Sequence, residues 1–291
     1  MRVSGFTFLK NGTKLGYPYL ESIRSVLPIV DEFVVALGAC EDDTADRLAE
    51  LARSEGAGKL RLIPCTWNTK APKAFVYAAQ SLVALYNCTG DWALYLQGDE
   101  AVHEDDHANI RAALAAAEGD ERVEGLVFDY IHFYGSAWTV AQSPAWYRRE
   151  VRVVRNRGLK IVMPSDAQYF TAIKGRRRLR YLNCRKANAR MFHYGWARAI
   201  CAHEAKQRET KAYYQEAPTV HPYALVDATI IRRFEGTHPA VMRDWVRDHA
   251  EQAFTPDPNY ILSRRDKRQR VKMFFERTLG IDTGKDHFKL V

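Results

Sequence analysis

The chain has no C-x-x-C pair, and its five cysteines, Cys40, Cys65, Cys88, Cys184 and Cys201, form an odd, scattered set. That argues against a zinc ribbon and a disulfide framework, and for a reducing compartment. No apolar run approaches the ~18 residues that cross a bilayer. The opening MRVSGFTFLKNG turns polar too soon for a signal peptide. There is no internal repeat and no low-complexity linker. What remains reads as globular: 291 residues, 47% hydrophobic and 27% charged, enough for one large domain or one and a half.

The net charge of +8 is uneven. Lys174 to Arg190 carries eight basic residues and no acid, and Ser263 to Arg277 carries seven basic residues against two acids. Such blocks attract phosphate, anionic lipid or nucleic acid, or they form a solvated face.

The opposite imbalance marks the centre of the first half. From Thr89 to Asp106 there are six acids and no Lys or Arg. The stretch begins as Trp92 to Leu96, five apolar residues between Gly90 and Gly98, which suits a strand buried on both faces. Asp99 and Glu100 stand at its carboxyl end, where open α/β sheets bind ligands. Acids without basic partners repel one another, so a divalent cation or a site role is expected; the first turn of a surface helix explains Glu104 to Asp106 equally well.

Around that strand the pattern alternates. Strands are expected over Val3 to Leu9, Glu32 to Leu37 and Leu60 to Cys65, and helices over Tyr19 to Val26, Ala45 to Ser54 and Ala74 to Tyr86. This spacing predicts a largely parallel, doubly wound sheet. A helix over Ile110 to Ala117 and a strand over Gly125 to Tyr130 follow. Val151 to Arg155 and Lys160 to Met163 read as two strands of a hairpin turning at Asn156-Arg157-Gly158. Helices are expected over Ala199 to Tyr214, near Ala240 to Phe254 and over Ser263 to Leu279, with a loop from Pro218 to Pro239.

Three stretches together resemble the family 2 type of GT-A nucleotide-diphospho-sugar glycosyltransferases. They are Lys10-Asn11 at the end of the first strand, the turn Cys40-Glu41-Asp42-Asp43-Thr44, and Gly90-Asp91-Trp92 running into Leu96-Gln97-Gly98-Asp99-Glu100. The last is similar to the family's Asp-x-Asp motif, with Gln97 in place of the first acid; Cys40 replaces a serine in the turn. The resemblance implies an α/β GT-A fold, a Rossmann-like three-layer α/β/α sandwich with a mixed, mostly parallel sheet and a helical C-terminal extension. It implies a catalytic domain over 1–215, divided into a nucleotide-binding half (1–130) and an acceptor half (131–215), with 216–291 as the extension. The activity implied is transfer of a sugar from a nucleoside-diphosphate sugar to a glycan or lipid-linked acceptor, inverting and assisted by Mn²⁺ or Mg²⁺.

The site follows on the same terms. Asn11, Asp42, Asp43 and Gln97 are expected at the nucleotide, and Asp99 at the metal. His193, in Arg190-Met191-Phe192-His193-Tyr194-Gly195-Trp196, is expected either as a second ligand, because Asp99 alone is a poor cage and imidazole suits Mn²⁺, or as a histidine packed between Phe192 and Tyr194 with its ring bonded to the backbone. That requires the two side chains within roughly 8 Å of one another. Glu150 and Asp166 are candidates for the base, and Asp129 a further one. Arg148, Arg149 and Arg152 match phosphate bidentately. The run Phe133 to Tyr147 offers an aromatic acceptor platform or core packing. Asn11 fits a turn and Asp42 a helix cap just as well. The expected location is cytoplasmic, at the inner face of an anionic membrane that the basic C-terminal helix meets; nucleic acid is not the expected partner. The alternatives are a non-catalytic sugar-nucleotide-binding protein and a basic nucleic-acid-binding protein.

Overall fold

The computed structural model describes residues 1–158, 160–164, 166–175, 178–217, 219–249 and 254–291. Its first hundred residues alternate as their apolar patterns dictate. Strands β1 (Val3–Leu9), β2 (Glu32–Gly38), β3 (Leu60–Cys65) and β4 (Trp92–Tyr95) are joined through helices α1 (Tyr19–Arg24), α2 (Thr44–Arg53) and α3 (Phe75–Tyr86). They lie parallel in the order β4-β1-β2-β3, so the carboxyl ends of β1, β2 and β4 share one edge.

The rest of the chain adds β5 (Glu100–Val102), α4 (His107–Glu118), β6 (Gly125–Tyr134), β7 (Ser136–Ala141), β8 (Arg149–Arg155), β9 (Ile161–Val162), β10 (Thr171–Lys174), β11 (Arg178–Arg180), β12 (Leu182–Trp196), α5 (Ile200–Tyr214), β13 (Ile231–Arg233), α6 (Arg243–Asp248), α7 (Arg264–Leu279) and β14 (Phe288–Leu290). Beyond β4 the sheet turns mixed. β8 enters antiparallel between β4 and β6, β12 runs parallel along β6, and β5 pairs antiparallel with β12. Among the described residues the main sheet has eleven strands, and β9, β10 and β11 form a second small one. This is the three-layer α/β/α architecture that the resemblance implied.

The core explains why the central strand reads as continuously apolar. Trp92, Leu94 and Leu96 pack on one face of the sheet with Phe33, Leu48, Ile110 and Leu114. Ala93 and Tyr95 pack on the other with Phe6, Val34 and Ala78. Each fully buried large side chain of this kind contributes about 1.5–3 kcal/mol.

Several expectations are corrected. β8 and β9 are not a hairpin: β8 is taken by β4 and β6, and β9 pairs with β10. The basic run Lys174 to Arg190, expected as an anion-binding block or a solvated face, holds β11 and the first part of the long strand β12. There Arg180 pairs with Glu124, Arg185 with Asp120 at 2.7 Å and Arg190 with Asp106 at 2.9 Å. Arg176 and Arg177 of that run, Pro218, and residues 250–253 of the expected helix near Ala240 to Phe254 lie outside the described residues. In the segment 216–291, α6 and α7 are accompanied by β13, which pairs with β7, and β14, which pairs with β12.

Candidate active site

The shared edge of β1 and β4 opens into a cavity of about 220 Å³. Its floor carries Gln97, Gly98 and Asp99, just past β4. One wall is aromatic: Tyr77 stands edge-on to Trp67 and to Tyr213, with centroids 6.0 and 5.4 Å away. Helix α5 crosses the opening and contributes Lys206, Glu209, Thr210, Tyr213 and Tyr214. Asp166 lines the rim and accepts a hydrogen bond of 2.9 Å from the Tyr214 hydroxyl.

Asp99 and Glu100 are neighbours that point to opposite sides, as the alternation of an extended segment requires. Glu100 is fully buried and forms a two-pronged ion pair with the fully buried Arg152, at 3.0 and 2.9 Å. It also accepts from the Tyr130 hydroxyl at 2.5 Å and from the Gln97 amide at 3.0 Å. The pair therefore clamps the turn that carries Asp99.

Asp99 itself is buried and faces three groups. Its Oδ2 accepts from Arg198 Nη2 at 2.9 Å and from Lys206 Nζ at 3.0 Å. Burial alone would raise its pKa, but the Lys206 ammonium, with Arg198 beside it, holds the carboxyl well below the usual carboxylate range. Lys206 is lowered to about 8 by its own burial and by Arg198. The other oxygen, Oδ1, lies 3.8 Å from His193 Nε2.

The tautomers around His193 can be worked out. His132 Nε2 lies 2.7 Å from the Tyr147 carbonyl, which can only accept, so that nitrogen carries a proton. Burial lowers His132 to about 4 and lowers His193 too, so both rings are neutral at pH 7. His132 Nδ1 is then a bare acceptor and takes the proton of His193 Nδ1 at 2.9 Å. That leaves His193 Nε2 bare as well. In that tautomer the Nε2 lone pair faces Asp99 Oδ1 across 3.8 Å. Gly195 borders this gap. A Cβ there would fall 2.5 Å from His193 Nε2 and 2.8 Å from Asp99 Oδ2, so only glycine leaves the space open.

Asp99 Oδ1 and His193 Nε2 could supply two ligands to a divalent cation, although Lys206 and Arg198 already place two positive charges on Asp99 Oδ2. Among the described residues no cluster of three or more His, Cys, Asp or Glu is arranged to hold a metal ion, so further ligands would come from a bound substrate.

The structure thus brings Gln97, Asp99 and Asp166 together at one cavity, with His193 behind Asp99 rather than among the lining residues. Asn11 lines a neighbouring cavity with Lys10 and Lys14. It has a left-handed φ of 53°, and its Oδ1 accepts from the Glu41 amide at 2.8 Å. Asp42 accepts from the amides of Lys14 and Thr44 at 2.7 and 3.1 Å. Both residues stitch the two turns together. Asp43 is exposed and makes no side-chain cap to α2. Glu150 does not line the cavity; it is fully buried and bonded to His287 Nδ1 at 2.9 Å. Arg148 and Arg149 are spent on Glu276, Asp282 and Asp286, and Arg152 on Glu100, which corrects the phosphate-clamp expectation. The run Phe133 to Tyr147 is largely packed: Phe133 and Tyr134 are buried, and Tyr147 sits edge-on to Tyr130 and His132. Sequence reasoning missed Lys206, Arg198, Trp67, Tyr77, Tyr213 and His132. Of these only His132 carried a signal, as a lone histidine in an apolar strand.

No family model and no curated protein matches the chain. Among solved structures it is similar to S. aureus TarS 1-349 in complex with UDP-GlcNAc, at 15% identity over 54% of this chain and 46% of that one, with a TM-score of 0.35. It is also similar to glucosyl-3-phosphoglycerate synthase from Mycobacterium tuberculosis in complex with Mn²⁺, UDP and phosphoglyceric acid. There the identity is 18% over 46% of this chain and 43% of that one, with a TM-score of 0.29. The match spans less than half the length of each.

Proposed function

We propose that the chain is a glycosyltransferase that moves a sugar from a nucleoside-diphosphate sugar to a hydroxyl of a glycan or lipid-linked acceptor, with inversion. The observation that carries this reading is the approach of Asp99 Oδ1 and His193 Nε2 to 3.8 Å beside an aromatic-walled cavity that Asp99 lines. Asp99 and His193 would hold Mn²⁺ or Mg²⁺, and such a cation neutralises charge on a leaving diphosphate.

The chain's own residues account for the rest. Trp67, Tyr77 and Tyr213 give a planar base or a sugar face an apolar surface. Gln97, whose amide reaches the Ala167 carbonyl at 3.4 Å, retains its carbonyl oxygen for a ribose hydroxyl. Lys206 and Arg198 hold Asp99 ionised and bring positive charge to the place where the diphosphate departs. The acceptor oxygen bonds to the anomeric carbon as the bond to the diphosphate breaks. We assign the acceptor proton to Asp166, which lines the cavity; Glu150 does not. The same proposal divides the chain into a catalytic domain over 1–215 and an extension over 216–291, and places it in the cytoplasm.

The test is release of nucleoside diphosphate from a panel of sugar nucleotides with Mn²⁺ present. Asp166→Asn is expected to slow turnover by about 10²–10⁴-fold while sparing donor binding. Binding of a sugar nucleotide with no turnover on any acceptor would instead favour a non-catalytic binding protein.

A further inference from the structure

Helix α7 is turned inside out relative to an ordinary surface helix. Its polar side faces the protein. Arg270 pairs with the buried Asp227 at 2.8 Å, and Glu276 accepts from Arg148 at 2.6 Å and from the Thr283 amide at 2.9 Å. Asp266 closes a capping box with Ser263 and takes the Tyr260 hydroxyl at 2.9 Å. No residue of the helix is buried. On the opposite side, Val271, Phe274, Phe275 and Leu279 are 56, 62, 46 and 61% exposed. Their spacing gathers them into one stripe. Upstream on the same side stand Arg264, Lys267 and Arg268, all exposed. Both acids of the helix, Asp266 and Glu276, are engaged on the inward side.

Single exposed apolar residues are ordinary; four along one helix side, two of them phenylalanine, mark a surface that meets something. The partner must be apolar to the depth of a phenylalanine and negatively charged around that depth. An anionic lipid leaflet has both properties, with acyl chains beneath anionic head groups. A second copy of the chain would bring the same basic turns against these, at a net charge of +8 each. Nucleic acid would satisfy the cations and leave Val271 and Leu279 in water.

We propose that α7 lies in the interface of an anionic membrane, with Val271, Phe274, Phe275 and Leu279 among the acyl chains and Arg264, Lys267 and Arg268 at the head groups. The helix is fixed to the body through Arg148, one residue from Tyr147, whose carbonyl orients His132 and through it His193. The docked face is therefore tied to the strand end that supports the site. A lipid-linked acceptor would then lie in the same surface that holds the enzyme, and that consequence alone rests on the transferase reading.

The experiment is co-sedimentation of the full chain with vesicles of phosphatidylcholine, with and without phosphatidylglycerol. The expected result is binding to the anionic vesicles at least about tenfold stronger than to the neutral ones, weakened by salt. Phe274→Ser with Phe275→Ser should lower that binding by about tenfold or more with the thermal unfolding curve unchanged, because both rings are exposed. Arg264→Gln, Lys267→Gln and Arg268→Gln together should lower it at low salt. Failure to bind anionic vesicles overturns the proposal. So does binding that ignores the phenylalanine variant. A dimer by light scattering that this variant dissociates, or tighter binding to RNA than to anionic vesicles, would overturn it too. None of these outcomes depends on turnover, so the membrane proposal and the transferase proposal fail separately.

Discussion

Two adjacent acids, Asp99 and Glu100, divide the labour of the site. Glu100 spends its charge on Arg152 and fixes the turn; Asp99 is left to face the cavity. Breaking a fully buried ion pair leaves one charge stranded, which costs more than the pair contributes. Arg152→Met is therefore expected to destabilise the fold by about 3–5 kcal/mol in urea unfolding; a loss under ~1 kcal/mol would mean that Glu100 finds another partner. Glu150 is the converse case. Burial raises its pKa, and its Oε2 is buried with no hydrogen-bond partner. A carboxyl with a raised folded pKa keeps its proton where the unfolded chain has lost it. Stability from this group is full below the ordinary carboxylate value of about 4.3 and falls as pH rises through the folded pKa. Glu150→Gln should flatten that slope and leave sugar transfer within a few-fold. A profile of unfolding midpoint against pH that is as steep in the variant as in the parent would count against this role. Asp99 was legible in the sequence because a buried strand ran into it through a glycine. Lys206 was not, since nothing on an ordinary charged helix distinguishes the lysine that folds over a carboxylate.

At the scale of elements, β12 and α5 decide what the site contains. β12 supplies His193 and Gly195, and α5 supplies Lys206 and the aromatic lid residues. The helices were readable from their period, α5 and α7 to within a residue. β12 was not, because its half-buried stretch from Asn183 to Arg190 alternates basic and small residues and looks like a solvated run. Its basic side chains are matched by Asp106 and Asp120, acids far away in sequence, which no local pattern reveals. The supposed hairpin failed for the same reason, since partner choice in a mixed sheet is made by distant strands. Gly195 is the position in β12 where the account is most exposed. Gly195→Ala should weaken binding of Mn²⁺ with a nucleoside diphosphate by at least about tenfold, which is ~1.4 kcal/mol, without moving the unliganded unfolding midpoint by more than a few degrees. Undiminished affinity would mean that the gap between Asp99 and His193 is not where the ligand sits.

For the whole molecule, the parallel half organises the site and the mixed half completes it. The edge that gathers the ends of β1 and β4 was expected from the alternation of strands and helices. The closure of that edge by residues 193–214 came only with the fold. The central claim is that a nucleoside diphosphate binds in this cavity against Asp99. Calorimetric titration of UDP, GDP, ADP, CDP and dTDP into the chain with Mn²⁺ tests it most directly. The account predicts that at least one binds at a single site, and that Asp99→Asn, still folded by its unfolding curve, loses that binding by about tenfold or more. Saturable binding that persists unchanged in Asp99→Asn, or no binding by any of the five with Mn²⁺ or Mg²⁺, would contradict it.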